Sequence, residues 1–188
     1  MHPQSPVSRA RAFTLIEAML VVMLVGILAM LATVAYRRWV RTAYIAEAHD
    51  MLSNIRSSEE SFRAENGTYL NISNGLDLNY TYPATTPGAF KTAWGAACTT
   101  CTASWSTLNV EAKAPVAFGY AVVSDNQVSH GVGVPATISI DGASVNVTPP
   151  TYPAYAAEAL GDIDGNQVYC RVYVFSSTNN FFVDKEGE

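Results

Sequence analysis

The chain has 188 residues, 49% of them apolar and 14% charged, with a formal net charge of −5, which is enough for one modest globular domain plus an appendage. Beyond residue 41, fifteen Asp and Glu stand against six Lys and Arg, so non-specific binding to nucleic-acid phosphates is disfavoured there. Three cysteines, Cys98, Cys101 and Cys170, are too few for a disulfide-built scaffold, and the odd number fits an exported protein with one disulfide and one thiol left over.

Residues 1–12, MHPQSPVSRARA, are polar and carry Arg9 and Arg11, as the basic flank of an export signal does. From Phe13 to Tyr36 follow 24 residues in which Glu17 is the only charge. As a helix this run crosses a hydrocarbon layer of ~30 Å. It is too long for the apolar core of an ordinary secretory signal and leads straight into helix-forming sequence. Arg37, Arg38 and Arg41 flank the other end, so the distribution of positive charge does not by itself set the orientation.

Apolar residues continue past the run at steps of three and four, as Ile45, Ala48, Leu52, Ile55 and Phe62, with Glu59 interrupting the seam. Glu47, Asp50, Asn54, Ser57 and Ser61 fall elsewhere on the wheel. No Pro or Gly occurs between Ile27 and Asn66, and Asn66-Gly67 supplies a stop. The pattern predicts one helix over 13–66, about 50 residues and roughly 75 Å long, apolar all round in its first half and amphipathic in its second.

The stripe from Ile45 to Phe62 needs a cover, and residues 67–188 are expected to supply it as a β-rich head. Val116 to Val123 alternates large and small residues, as a half-buried strand does. Asp125-Asn126 marks a turn into Gln127–Gly131, while 167–176 and 180–184 read as two further strands and Tyr155 to Leu160 as a weaker one. Asn71 to Thr107 reads as a long surface connection, and Ala136 to Pro153 as a hairpin or loop. The expected fold class is α+β: a long N-terminal helix whose second half packs on an antiparallel sheet.

The sequence Phe13-Thr14-Leu15-Ile16-Glu17, with its short basic leader and the apolar run behind it, resembles the processing and assembly signal of type IV prepilins and of type II secretion pseudopilins. The resemblance implies a prepilin peptidase that cuts between Ala12 and Phe13, where the family usually has glycine before the cut, and methylates the new Phe13 amine. A carboxylate four residues into a membrane helix is costly without a positive partner. The partner implied by the resemblance is the Phe13 amine of a neighbouring copy, a pairing that sets the axial register while the apolar helices form a filament core. Gly26, and the residues Ala43-Tyr44 and Ala46-Glu47-Ala48, also match, as does Ser61 to Tyr69 at the helix end. Val34 stands where many major pilins place a helix-bending proline, which leans the resemblance toward a minor or specialised pilin. Trp105-Ser-Thr-Leu, Phe118-Gly-Tyr-Ala-Val-Val, Gly161-Asp-Ile-Asp-Gly165 and Glu186-Gly187-Glu188 are similar to bacterial pilin heads more loosely.

Several smaller signals have two readings. Asp162, Asp164 and Asn166 have the alternate spacing that opens a calcium loop, but no glutamate closes a twelve-residue loop, and an Asx turn explains the same residues. Cys98 and Cys101 read as a structural disulfide before a redox pair, with Cys170 an alternative partner for either. His49 and His130 lack the company of a nucleophile and carboxylate, and no catalytic role is expected of them. Tyr80, Tyr82, Trp94 and Trp105 are expected to pack loops onto the core rather than form an adhesive surface. The function implied is structural: a pilin subunit inserted in the bacterial inner membrane, with copies of itself, prepilin peptidase, the assembly machinery and lipid as partners. A secretion pseudopilin, a binding module at a filament tip and a membrane-anchored thiol oxidoreductase are the alternatives.

Overall fold

The computed structural model describes residues 13–84, 87–88, 90–95, 98, 101, 103–125, 133–147 and 153–186. Ala12 and the rest of the leader, the strand expected over Gln127–Gly131, and His130 lie outside these. The chain divides into two compact units, one ending at Trp39 and the other running from Val40. The fold class is α+β, as expected: one long helix, α1 (Leu15–Asn66), precedes antiparallel sheets of four and two strands.

Helix α1 stops where Asn66-Gly67 predicts. Gly67 takes φ 76°, a left-handed conformation that glycine adopts without a Cβ clash, and its N–H bonds the Arg63 carbonyl at 2.8 Å. One of the last unpaired carbonyls of the helix is thereby satisfied. Ile45, Ala48, Leu52 and Ile55 are all buried, the stripe read from the periodicity. Leu52→Ala should destabilise this unit by about 2–5 kcal/mol, measured by urea unfolding of the full chain in detergent.

The second unit holds strands β1 (Gly119–Asp125), β2 (Thr137–Ile140), β3 (Ala143–Asn146), β4 (Ala154–Gly161), β5 (Cys170–Phe175) and β6 (Phe181–Asp184). The large sheet has the order β1-β4-β5-β6 with every pair antiparallel. On one face Tyr120 and Val122 of β1, Tyr155, Ala157 and Ala159 of β4, and Val172 and Val174 of β5 share a core with the α1 stripe. On the other face Val123, Ala156, Tyr173 and Phe175 pack with Ile138 and Val147 at the β2–β3 hairpin. That hairpin turns at Asp141 (φ 49°) and Gly142 (φ 80°), the Asp-Gly pair and positive φ values that suit the right-handed twist of the flanking strands.

Three expectations need correction. Val116–Val123, of which Gly119–Val123 belong to β1, is buried throughout, not half-buried: Val123 packs with the hairpin cluster and Gly119 lies against Thr81 and Ala84. Tyr155–Leu160, the weaker strand, is an interior strand buried along its whole length. Asn71 to Thr107 is not simply a surface connection. Among its described residues, Ser73 N–H bonds Val122 O at 2.8 Å, Tyr82 and Tyr120 exchange bonds of 2.9 and 2.7 Å, and Thr92 exchanges bonds of 2.7 and 2.9 Å with Val116, just before β1. These contacts satisfy the strand's outer backbone groups.

Candidate functional site

Every residue from Phe13 to Trp39 is exposed, with Phe13 at 78%. Apolar surface of that extent is unfavourable in water and requires lipid or other protein around it. The helix that contains it is long and apolar enough to cross a membrane. Within the run, the Thr33 hydroxyl donates to Ala29 O at 2.8 Å and to Met30 O at 2.9 Å, so this polar group is satisfied without water, as lipid demands. Gly26 has open space where a Cβ would sit; nothing in its own chain requires glycine there, and a small residue permits close approach by another helix.

Glu17 is tied to the start of the helix. Thr14 N–H and Thr14 Oγ1 both reach Glu17 Oε2, at 3.1 and 2.9 Å, while Glu17 N–H bonds Thr14 Oγ1 at 3.3 Å and Ala18 N–H bonds Thr14 O at 3.2 Å. This is a capping box in which threonine and a glutamate three residues on satisfy backbone donors reciprocally. The Thr-x-x-Glu pattern before an apolar run was present in the sequence as a cap signal. Among the described residues Glu17 Oε1 has no hydrogen-bond partner, and it stays available to a donor from outside the chain.

In the second unit Cys98 and Cys101 are joined as a disulfide, which settles the pairing left open by the sequence. Cys170 is a buried free thiol at the start of β5. Burial, and then the nearby Glu186 and Asp184 carboxylates, push its pKa up to about 11, which suppresses the reactive thiolate. In the native protein Cys170 should therefore resist iodoacetamide and become labelled only on unfolding, a difference that peptide mass spectrometry reads directly.

The turn after β4 brings Asp162, Asp164 and Asn166 together, with their oxygens engaged by N–H groups. Asp162 Oδ1 accepts from Gly165 N at 2.8 Å and Asn166 N at 3.1 Å, and its Oδ2 from Gln167 N at 2.9 Å. Asp164 Oδ2 pairs with Arg41 at 3.0 Å, and Asn166 Oδ1 accepts from Val168 N at 2.6 Å. His49 stacks on Phe181 with ring centroids 4.5 Å apart, a packing contact. Tyr82, Trp94 and Trp105 form one cluster, with centroid separations of 4.9, 5.5 and 5.9 Å.

Two buried carboxyls were not singled out as special by sequence reasoning. Glu59 is fully buried on the helix stripe, and its Oε2 accepts Leu70 N–H at 3.0 Å while its Oε1 is without a partner. Burial raises its pKa to about 8, against the opposing effect of the Leu70 N–H, because a low-dielectric surrounding disfavours the ionised form. Glu158, buried on β4, lies 3.2 Å from Arg171. Burial outweighs that guanidinium and raises its pKa to about 7.

Compared with known proteins, the chain matches no family model, no curated protein and no solved structure.

Proposed function

We propose that this chain is a structural subunit of a type IV pilin-like filament. In this reading it is inserted in the bacterial inner membrane as a precursor, cut between Ala12 and Phe13, methylated on the Phe13 amine and polymerised through residues 13–36. The observation that carries the reading is the fully exposed apolar start of α1, with a single carboxylate at Glu17, joined to a unit that has its own core. A long apolar N-terminal helix followed by an antiparallel sheet is compatible with pilin-like architecture. Neighbouring copies would cover the apolar surface once the helix leaves the lipid. Prepilin peptidase and the inner-membrane assembly machinery are the partners this route requires.

A type II secretion pseudopilin is the second reading. The helix continues through Val34 with no proline in the apolar run; since helix-bending proline at that place marks many major pilins, this favours a minor or specialised subunit, whether of a pilus or of a secretion filament. Both readings meet the same first test: intact mass of the protein from native membranes and from the sheared surface fraction. Expected are loss of residues 1–12 and addition of one methyl group at Phe13. Retention of the leader, or cleavage beyond the apolar run, would overturn the filament reading.

A further inference from the structure

Beside the disulfide lies a cavity of about 640 Å³ whose lining includes the Tyr82, Trp94 and Trp105 cluster together with Ser104, Ser106 and Glu111. Its size falls in the range of small-molecule sites, and such sites combine an aromatic wall with a few placed polar groups. Trp94 is partly exposed, while Ser104, Ser106 and Glu111 are open to solvent. We infer that this cavity binds a neutral carbohydrate, with a sugar ring lying against Trp94 and its hydroxyls meeting the serine hydroxyls.

Three observations select that chemistry. None of the described residues lining the cavity is Lys, Arg or His, and Glu111 adds a negative charge, so phosphorylated, sulfated or carboxylated ligands are disfavoured. Tyr82 and Trp105 are buried, at 6% and 4% exposure, and Trp94, set at 89° and 74° to them, is the ring of the three that is partly exposed. An aromatic cage for an ammonium group needs several open ring faces around one space; one open ring beside hydroxyls instead suits the C–H face of a pyranose, since aromatic side chains supply rigid, amphipathic contact area. The rim carries hydroxyls: Ser104 Oγ and Ser106 Oγ lie 2.7 Å apart and share one proton of the pair, so the other can be donated to a ligand oxygen.

The site is also held in place before any ligand arrives. Tyr82 OH accepts Gly95 N–H at 2.8 Å, fixing the loop that carries Trp94. Ser104 caps the short 3₁₀ turn Trp105–Leu108, and Asn109 closes it in a left-handed conformation with its N–H on Ser106 O at 3.1 Å. A preformed wall and rim lower the ordering cost of binding. The inference goes beyond the filament reading and does not depend on it.

The test uses the full chain in a polyoxyethylene detergent, which has no sugar headgroup. Maltotriose, cellotriose, chitotriose and lactose are titrated against tryptophan fluorescence, with sialyllactose and tetramethylammonium as charged probes. Saturable binding of at least one neutral sugar is expected, weakened about tenfold or more, the equivalent of ~1.4 kcal/mol, by Trp94→Ala and by Ser106→Phe. Because Ser106 is exposed, Ser106→Phe decides the matter even if Trp94→Ala fails to fold. The proposal is overturned if none of these sugars gives a saturable response, if Ser106→Phe binds as the unaltered chain does, or if only tetramethylammonium binds and Glu111→Gln abolishes it.

Discussion

Glu17→Gln will leave the protein in the membrane and remove it from filaments, with at least about tenfold less protein in the sheared fraction, since breaking a desolvated charge pair costs on the order of 2–5 kcal/mol. The substitution separates two roles that Glu17→Ala would confound. Glutamine retains the capping box with Thr14 but cannot offer a negative charge to a neighbouring Phe13 amine. Thr14→Ala is the converse: it removes the cap, at about 1 kcal/mol to the first turn, and keeps the charge. On the proposed mechanism Thr14→Ala subunits still assemble and Glu17→Gln subunits do not. Sheared-fraction immunoblots that gave the opposite pattern would assign Glu17 to helix initiation alone and remove the intersubunit pairing from the proposal.

The second large effect is on stability against pH. Glu59 ionises near the ordinary glutamate value of 4.5 when the chain is unfolded and near pH 8 when it is folded. Between those values the folded state holds a proton that the unfolded state has released. Folding is therefore most favoured below pH 4.5 as far as Glu59 is concerned, and it weakens as pH rises, by ~1.4 kcal/mol per unit for one group, until about pH 8. Glu158 acts in the same direction up to about pH 7. Glu59→Gln, which keeps an acceptor for Leu70 N–H, should flatten much of the slope and leave the variant more stable than the unaltered chain at pH 8.5, on the order of a few kcal/mol. At pH 4.5 the two should nearly coincide. Parallel stability curves, measured by urea unfolding of the full chain in detergent, would show that the Glu59 carboxyl is hydrated after all.

Legibility in the sequence followed the range of the interactions. The α1 stripe and its Asn66-Gly67 stop depend on residues three and four apart, and both were readable. So were β5 and β6, whereas 136–153 read only as a hairpin or a loop. β4 was the hardest strand to see, because Ala154-Tyr-Ala-Ala-Glu-Ala-Leu-Gly161 is rich in a good helix former and interrupted by Glu158. Its alanines make sense only against Tyr120, Val122 and Val172 from other parts of the chain. Ser73 meets β1 through hydrogen bonds with Val122, and Tyr82 and Thr92 meet β1 and its approach as single bridges; no periodicity announces contacts of this kind. Of the candidate site, the apolar run and Glu17 stood out as sequence features, whereas the cap that Thr14 forms with Glu17 was present in the letters and passed over in favour of the charge.

The two edges of the large sheet are treated differently. β1 has Ser73 and Tyr82 bonded along its outer side, and β6 is a strand of only four residues that ends at Asp184, beside Lys185. Asp184 accepts the Asp141 N–H at 2.7 Å, and the Lys185 N–H reaches back to Asp141 at 3.3 Å, so the hairpin turn closes off the end of that edge. A protein displayed in many copies at very high local concentration runs a standing risk that sheets from neighbouring copies will zip together edge to edge. Here one edge is lined by its own chain and the other is short and stoppered, which on the proposed filament reading leaves the apolar helix as the surface through which copies adhere.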